Sequence, residues 1–328
     1  MTGIFGQSPD GNNVLSCTLR NGGTVATVLS WGATLQDFRI AGISHPLNLG
    51  GCDMSAYLGS MQYFGAIVGP VANRIAGARF VIGGQTHQLE RNENGQTSLH
   101  SGPSGFSQRN WTFDEIGPAM CRLVMNHPDN LGGFPGPIRV STTYRLDETG
   151  ALDIEITGES EKPVFFSPAF HGYWNLSGSE DLSDHELLVA ADRYLPVDED
   201  QIPKGPPENV AESPFDYRDF RPIGPLFDHN FCLSPQHGEM QLACTVKAGG
   251  LALDVTTDQP GVQVYNGQHI DTGATRGLQA KPYGKMSGLA IEPQFWPDTP
   301  NRPDYPSSLL LPGQVARHRS RFAIRRDG

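Results

Sequence analysis

The sequence predicts an all-β fold, namely a large antiparallel β-sandwich with few short helices. Three observations support this prediction. The 39 glycines and 26 prolines make up about a fifth of the 328 residues, which is typical of a chain with many turns. Apolar and polar residues alternate with period two along much of the chain, as half-buried strands require. In contrast, no apolar stripe of helical spacing lasts for three full turns.

The predicted strands follow one another through short connections, which leave little room for the helices of an α/β fold. The clearest hairpin joins residues 78–82 to residues 85–89 through Gly83 and Gly84, because glycine supplies the positive φ of a primed turn. A second hairpin joins residues 138–146 to residues 152–157. The other predicted strands are residues 24–29, 34–40, 251–257 paired with 262–265, and 319–324.

We expect residues 1–328 to form a single domain, because no repeat with a propeller or solenoid period is visible. Residues 196–225 are rich in proline and charge and could be taken for a linker. However, they include Phe215, Tyr217 and Phe220, which a free linker seldom carries. This segment is therefore predicted to be an ordered loop that wraps the domain.

The net charge of -11, from 24 basic and 35 acidic residues, argues against nucleic acid as a partner, because phosphates require clustered Lys and Arg. The arginines of residues 317–326 are interpreted as the alternating solvent face of a last strand. Neither a signal peptide nor an apolar run of the roughly 18 residues needed to cross a membrane is visible. The five cysteines are scattered and form no C-x-x-C motif. We expect a cytoplasmic protein that binds no membrane.

Chemistry is indicated by a series of short islands in which polar side chains stand beside aromatic residues and turn formers. Polar side chains can hydrogen-bond to sugar hydroxyls, while flat aromatic rings can cover the apolar face of a pyranose. In a β-sandwich such residues can converge on one concave face although they are distant in sequence. The islands are residues 71–75, 98–102, 133–136, 170–176, 227–231, 261–267 and 291–298.

The islands also have purely structural interpretations. His171 could be a satisfied structural histidine, and Asp228 could be a simple turn acceptor. Asn73 and Arg74 could form a turn with a surface ion pair. Glu292 interrupts an apolar strand, where a carboxylate must be paired, solvated or functional because burying it alone is costly.

The tryptophans and histidines of the islands leave further alternatives open. Trp174 and Trp296 could pack in the core or could stack on a sugar ring. A group of histidines might suggest a metal, but none of them is separated from another by a ligand spacing such as H-x-H. We therefore expect no metal at His100, His171, His229 and His269.

In their order along the chain, the islands resemble the aldose 1-epimerase (galactose mutarotase) family. The resemblance runs from residues 31–35 to residues 311–313 and includes the stretches 191–198, 215–218 and 297–301. It implies a galactose mutarotase-like supersandwich with an open sugar-binding cleft and no required cofactor. It also implies an isomerase of carbohydrate and hexose metabolism that acts on a free aldose, as a monomer or a homodimer.

The resemblance assigns roles residue by residue. His171 matches the family's general acid and Glu292 its general base. Arg74 and His100 match residues that contact the sugar, and Asp228 matches an aspartate that anchors sugar hydroxyls. The remaining residues expected to bind substrate are Asn73, Gln263, Tyr265, Gln294 and Trp174.

These roles imply a mechanism for opening the hemiacetal ring. Ionised Glu292 would take the proton of the anomeric hydroxyl while protonated His171 donates a proton to the ring oxygen. The free aldehyde would then turn about C1–C2 and close on the opposite face. A sugar-binding sensor without activity, and a hexose-6-phosphate epimerase, are alternatives on the same fold. A glycosidase is a third alternative, although it normally uses two carboxylates.

The chain also departs from the family pattern near its expected acid and base. Phe170, Gly172 and Trp174 replace the family's Asn, Ser and Phe, and Pro293 replaces Thr after the base. A more acidic stretch is replaced at residues 129–132. These neighbours are expected to shape the pocket, so the sequence leaves open which of galactose, glucose, arabinose, xylose or fucose is preferred.

Overall fold

The computed structural model describes residues 2–224, 227–233 and 238–327, and most of its regular structure is β-strand. The first nine strands are β1 (Thr2–Gln7), β2 (Asn13–Asn21), β3 (Thr24–Leu29), β4 (Leu35–Ile40), β5 (Ile67–Val68), β6 (Arg74–Ile75), β7 (Arg79–Ile82), β8 (Gln85–Gln88) and β9 (Ser98–Leu99). The next nine are β10 (Thr112–Ile116), β11 (Met120–His127), β12 (Ile138–Leu146), β13 (Leu152–Ser160), β14 (Val164–Phe165), β15 (Ala169–Phe170), β16 (Gly172–Trp174), β17 (Glu186–Val189) and β18 (Arg193–Tyr194). The last are β19 (Glu208–Asn209), β20 (Arg221–Pro222), β21 (Asp228–Cys232), β22 (Gln241–Ala248), β23 (Leu251–Thr257), β24 (Gly261–Tyr265), β25 (Leu289–Gln294), β26 (Leu309–Leu310) and β27 (Ala316–Arg326).

Helical structure is short, as the sequence predicts. The α-helix α1 (Met54–Tyr57) begins after Asp53, whose Oδ1 accepts the N–H groups of Ser55 and Ala56. Such a cap satisfies backbone donors that lack a partner within the helix. Single 3₁₀ turns occur at Phe106–Gln108 and Thr299–Asn301, while the turns at Ala76–Ala78 and Leu131–Gly133 each contain a glycine in the left-handed conformation. No helix in the described ranges is long and apolar enough to cross a membrane.

Three larger antiparallel sheets form the sandwich. A nine-stranded sheet has the order β10-β11-β12-β13-β27-β23-β22-β17-β20, and a six-stranded sheet has the order β16-β25-β24-β21-β18-β19. The first four strands form a sheet of their own in sequence order. The prediction of a large antiparallel β-sandwich is therefore confirmed.

The main hydrophobic core lies between the nine-stranded sheet and the other two. The ring of Trp174 in β16 stacks on Phe322 of β27 at 5.3 Å and meets the edge of Phe38 of β4 at 5.5 Å. Phe170 also packs edge-on against Phe322. Burying side chains of this size contributes roughly 1.5–3 kcal/mol each. The three sheets are held together mainly by such contacts.

Both predicted hairpins are confirmed. Strands β7 and β8 pair with Ile82 opposite Gln85, and Gly83 and Gly84 take φ values of 58° and 82°. Two consecutive positive φ values are those of a primed turn, which matches the twist of the paired strands. Strands β12 and β13 pair without a break from Leu146 opposite Leu152 onward.

The predicted pairing of residues 251–257 with residues 262–265 is wrong. Both segments are strands, but β23 pairs with β22 and β27, whereas β24 pairs with β21 and β25. Between them the chain passes from one sheet to the other. Asp258 is held there by the N–H of Arg319, 2.8 Å from its Oδ1, and Pro260 has no N–H to continue a ladder.

The two segments whose composition suggested exposure are tied to the fold. The arginines of β27 alternate with buried side chains, and Arg319, Arg321 and Arg325 form ion pairs with aspartates of the neighbouring chain segments. In the predicted loop 196–225, Tyr217 is buried and Phe215 packs against the core. Pro225 itself lies outside the described residues.

Candidate active site

The site lies on the face of the six-stranded sheet that points away from the main core, which we call the cleft face. Along β24 and β25, Val262, Val264 and Ile291 point into the core. The alternate residues, including Gln263 and Glu292, therefore point to the cleft face. The register places Gln263 directly opposite Glu292.

His171 and Glu292, the expected acid and base, meet at this face. His171 lies between β15 and β16, where its N–H donates to the carbonyl of Ala66 and its carbonyl accepts the N–H of Gly65. Its Nε2 is 3.4 Å from Oε1 of Glu292, and both side chains are buried. We call these two residues the proton-transfer pair. They are 121 positions apart in the sequence and are brought together because β16 pairs with β25.

Burial controls the protonation of this pair. Loss of hydration lowers the pKa of His171 to about 4. It also raises the pKa of Glu292 well above its usual range, and the nearby carboxylate of Asp228 adds to that rise while Arg74 opposes it. Both shifts favour the form in which His171 is neutral and Glu292 is protonated. This distribution is the reverse of the one in the mechanism that the resemblance implies.

A small two-stranded ribbon carries Arg74 and His100 to the pair. Strand β6 pairs with β9 with Arg74 opposite Leu99, so His100 follows directly at the end of the ribbon. The ribbon is fastened to the segment after β25, since Asp298 accepts the N–H of Ala76 at 3.0 Å and donates its own N–H to the carbonyl of Arg74. The His100 ring centroid is 5.0 Å from that of His171.

Asn73 sets the tautomer of His100. Asn73 has a φ of 59°, a left-handed conformation that asparagine tolerates better than most residues. Its backbone N–H lies 3.2 Å from Nδ1 of His100, which must accept this hydrogen bond. The neutral ring therefore carries its proton on Nε2, and burial keeps the pKa of His100 well below its ordinary value. His100 is thus a neutral hydrogen-bond donor.

The same tautomer bears on whether the site suits a metal ion. His100, His171 and Glu292 each offer one potential ligand atom, and these atoms lie within 4.8 Å of one another. A ligating imidazole nitrogen must have a free lone pair, whereas Nε2 of His100 carries a hydrogen as long as Nδ1 accepts the N–H of Asn73. These residues therefore fit hydrogen bonding to hydroxyl groups better than metal coordination.

Arg74 is held between two carboxylates. Its Nε and Nη2 donate to Oε2 and Oε1 of Glu93 at 2.7 and 2.8 Å. Its Nη1 lies 3.8 Å from Oδ2 of Asp228. The other oxygen of Asp228 accepts a hydrogen bond of 2.6 Å from Nε2 of Gln263. Burial raises the pKa of Asp228, although Arg74 and Gln263 both favour its ionised form.

Several polar atoms on the cleft face have no hydrogen-bond partner. The side-chain oxygen of Gln263 and Oε2 of Glu292 are among them, as are both amide atoms of Gln294. Gln294 shares its face with Glu292 because the two are separated by two positions in β25. Unpaired buried polar groups are costly, and a polyhydroxylated ligand could satisfy those that it reaches.

Aromatic rings line one side of the cluster. The ring of Tyr63 stacks on His171 with centroids 6.0 Å apart. The ring centroid of Tyr173, in β16, lies 5.0 Å from that of His171. Tyr173 and Tyr265 meet edge to face, with ring centroids 6.3 Å apart. Beside these rings is a cavity of about 190 Å³, which His269 and Asp271 also line. Four larger hollows in the described part of the chain, of about 620, 790, 580 and 460 Å³, contain none of the residues of the proton-transfer pair or of the ribbon.

The prediction that Trp174 binds substrate is wrong. Period two places Trp174 on the opposite face from His171 and Tyr173, so its ring is fully buried in the main core. Trp296 is also packed internally, with its Nε1–H bound to the carbonyl of Pro260 and its ring against Tyr305. Neither indole forms a sugar platform in this structure.

The departures from the family pattern lie on the core face as well. A side chain at Gly172 would meet the ring of Phe170 at 2.4 Å, so the larger residue at 170 requires glycine at 172. Gly172 is opposite Ile291, and Pro293 is opposite Val262, both of which point into the core. The expectation that these four positions shape the pocket is therefore wrong, because they belong to the packing behind it.

Some residues of the site were missed from the sequence. Tyr173 could have been found, since period two places it on the same face as His171. Asn230 could also have been found, because β21 places it beside Gln263. Glu93 and Tyr63 lie in loops, and no local pattern marks them.

Solved structures define the class to which this fold belongs. A GalM/aldose epimerase homologue from C. elegans superimposes with a TM-score of 0.89 at 25% identity, covering 95% of this chain and 99% of that one. A galactose 1-epimerase from Lactobacillus acidophilus superimposes with a TM-score of 0.86 at 25% identity, covering 100% and 99%. The architecture is that of the galactose mutarotase-like supersandwiches.

Sequence comparison narrows the class to a family. The aldose 1-epimerase family model matches residues 16–323. A galactose mutarotase from Mus musculus is 37% identical over 97% of this chain and 96% of its own length. An aldose 1-epimerase from Escherichia coli is 34% identical over 94% of each chain. The chain belongs to the aldose 1-epimerase family.

Proposed function

We propose that this chain is an aldose 1-epimerase that interconverts the α and β anomers of a free aldose. The observation that carries this proposal is the buried proton-transfer pair, with Nε2 of His171 3.4 Å from Oε1 of Glu292. Around it stand Arg74, His100 and Asp228, which offer donors and acceptors to sugar hydroxyls. Membership of the family supports the same activity.

Ring opening requires two proton movements. One member of the pair removes the proton of the C1 hydroxyl, the C1–O5 bond breaks as C1 becomes a carbonyl, and the other member delivers a proton to O5. Rotation about C1–C2 presents the opposite face of the aldehyde. O5 then attacks C1, gives up its proton, and the carbonyl oxygen regains one. General acid and base catalysis of this kind contributes typically 10²–10⁴-fold for each group.

A pair that shares one proton can begin this cycle from either of two forms. Burial favours neutral His171 and protonated Glu292. The form with protonated His171 and ionised Glu292, which the family resemblance implies, has the same total number of protons. We propose that the one-proton state is the active one. Ring opening converts one of these forms into the other, because the base gains a proton and the acid loses one. Ring closure restores the first form.

The charges around the pair favour a neutral sugar. Arg74 is already bound to Glu93 through two hydrogen bonds, and the facing groups Asp228 and Glu292 are carboxyls. A phosphate group on the substrate would meet these acidic residues and only the one edge of the Arg74 guanidinium that Glu93 leaves unbound. We therefore rank free aldoses above hexose 6-phosphates.

The test is polarimetry of a freshly dissolved single anomer, corrected for the spontaneous rate. Wild-type protein should accelerate mutarotation, while His171→Asn and Glu292→Gln should each lose about 10²-fold or more. His87→Asn and Glu115→Gln are matched controls, since His87 lies in β8 and Glu115 in β10, outside the cleft. Wild-type rates in either cleft variant would exclude the role of that residue. A wild-type protein that binds aldoses without acceleration would instead be a sugar-binding sensor.

A panel of free aldoses with one sugar phosphate would identify the substrate. Galactose, glucose, arabinose, xylose and fucose differ in one or two hydroxyl groups, or in the group at C5. Faster mutarotation of the sugar phosphate than of every free aldose would overturn the preference for a neutral substrate.

We also propose that residues 1–328 act as one domain, because a single core cluster draws residues from Cys17 to Phe322.

A further inference from the structure

Glu93 makes the strongest contact of any residue with Arg74. The two hydrogen bonds from Nε and Nη2 of Arg74 form a planar fork of the kind that fixes a guanidinium in one orientation. The side chains of Arg74 and Glu93 are only 14% and 22% exposed, so solvent competes little for these bonds. The fork occupies one edge of the guanidinium and leaves Nη1 directed at Asp228.

Glu93 is itself fixed from behind. Oγ1 of Thr97 donates to its Oε2 at 2.9 Å, and the backbones of Glu93 and Thr97 form an isolated antiparallel bridge. The preceding residue, Asn92, binds both the N–H and the carbonyl of Leu99, next to His100. The loop is therefore built onto the same ribbon that presents Arg74 and His100. Such an arrangement holds the carboxylate of Glu93 in place before any substrate arrives.

Glu93 also sets the charge of the site. The groups that face Arg74 are Glu93, Asp228 and Glu292, and its positive charge lowers the pKa of the last two. The negative charge of Glu93 has the opposite effect on Asp228. Without it, the charge of Arg74 would act uncompensated on Asp228.

We propose that Glu93 is the positioning residue of the active site, which holds the guanidinium of Arg74 so that its free edge binds substrate hydroxyls together with Asp228. This inference rests on the proposed function, because it assigns Glu93 a part in the same reaction. Glu93 acts through Arg74 and does not touch the reacting atoms. Nothing in the local sequence marks it, since it lies in the loop between β8 and β9.

Two substitutions separate the geometric contribution of Glu93 from its charge. Glu93→Asp keeps the charge but is too short for the fork, so KM should rise roughly 10- to 100-fold with an unchanged pH profile. Glu93→Gln keeps the length but loses the charge, so KM should rise and the acidic limit of substrate binding should move to lower pH, because uncompensated Arg74 favours ionised Asp228. Thr97→Val removes the support from behind and should raise KM less.

A matched control is Asp216→Asn, which breaks the same kind of fork at Arg218 on the exposed surface. It should leave KM, kcat and the pH profile unchanged. Circular dichroism and thermal unfolding would establish that each variant is folded. If Glu93→Asp did not fold, Thr97→Val would still test the geometric contribution.

The outcomes distinguish this inference from the proposed function. If wild-type protein accelerates mutarotation but Glu93→Asp and Glu93→Gln keep its KM and pH profile, the inference is wrong and the function stands. If both variants lose stability without a change in KM, Glu93 has only a structural role and the inference is also wrong. If wild-type protein accelerates mutarotation of no aldose, it is the proposed function that fails.

Discussion

His171 and Glu292 show how a residue's surroundings decide its chemistry. Both residue types can be recognised in the sequence, but their protonation depends on burial, which only the fold determines. Histidine normally titrates near neutral pH, yet in this site loss of hydration moves its pKa to about 4. The raised pKa of Glu292 has the same physical origin.

The pH dependence of activity should reflect the pair as a unit. Below about pH 4 His171 is protonated as well as Glu292, so the pair carries two protons. At high pH Glu292 is ionised and the pair carries none. Activity should therefore fall in both directions. The measurement is kcat/KM from polarimetry between pH 3.5 and about 9, with the spontaneous rate subtracted. A decline that begins near pH 6.5, as for an ordinary histidine, would contradict the one-proton assignment.

At the same scale, the residues that a motif carries could be predicted and those that a loop supplies could not. Arg74, His100 and Asp228 lie in short motifs, and the fold places them beside His171 and Glu292. Glu93 binds Arg74 through two hydrogen bonds, but its position depends on how residues 89–97 fold back on the ribbon. Side-chain pairing across a loop of this kind has no local sequence signal.

At the scale of elements, alternation along a strand divides each motif between two environments. In residues 169–174 the odd positions His171 and Tyr173 face the cleft, while Phe170 and Trp174 face the core. The same division explains why the departures from the family pattern next to His171, at Phe170, Gly172 and Trp174, lie on the core face. A motif is thus a mixture of site residues and packing residues, which period two can separate.

Substitution of Trp174 tests this division. Trp174→Ala should lower the free energy of unfolding by roughly 3–5 kcal/mol, because it leaves a large cavity between Phe38 and Phe322. Trp174→Phe should cost less, since the Nε1–H of Trp174 has no partner to lose. Chemical denaturation measures both changes. In Trp174→Phe the KM for the aldose should equal that of wild type. A large increase in KM would show that Trp174 binds substrate.

Elements far apart in the chain assemble the site through a few contacts. Asp298, after β25, accepts the N–H of Ala76 and so ties the ribbon of Arg74 and His100 to the strand of Glu292. Asp298 has a φ of 58° and is buried. The turn that contains it was evident from the sequence, whereas its partner, 222 residues away, was not.

For the molecule as a whole, buried neutral histidines should make stability depend on pH. His127 and His171 are buried and His229 is half-buried, and loss of hydration lowers the pKa of each to about 4. Between pH 6.5 and 4 the unfolded chain binds protons at these positions that the folded chain does not bind. Stability therefore falls as the pH falls through this range. Buried carboxyls with a raised pKa, such as Glu292, act in the opposite direction.

His127→Gln isolates one of these contributions. His127 lies outside the cleft, packed against Phe106 and Phe134 with Nε2 at 3.1 Å from the carbonyl of Leu131. Its shift from 6.5 to about 4 corresponds to about 3 kcal/mol lost in full below pH 4. The variant should therefore lose less stability than wild type between pH 7 and pH 4 in urea denaturation. Parallel curves for the two proteins would contradict the lowered pKa.

Local sequence determined much about this protein by itself. The alternation of apolar and polar residues predicted strands, and paired glycines predicted a primed turn. The ordered islands indicated the family and most of the cleft residues. These features depend on steric and hydrophobic preferences that act over a few residues.

The tertiary structure alone decided how these parts are combined. It placed β23 and β24 in different sheets, gave Arg74 a partner in Glu93, and buried His171 beside Glu292, which lowers the pKa of the first and raises that of the second. Each of these outcomes depends on contacts between distant segments or on the exclusion of water from a buried face. Contacts between distant segments and the exclusion of water arise only when the sheets pack together. A short stretch of sequence therefore carries no sign of them.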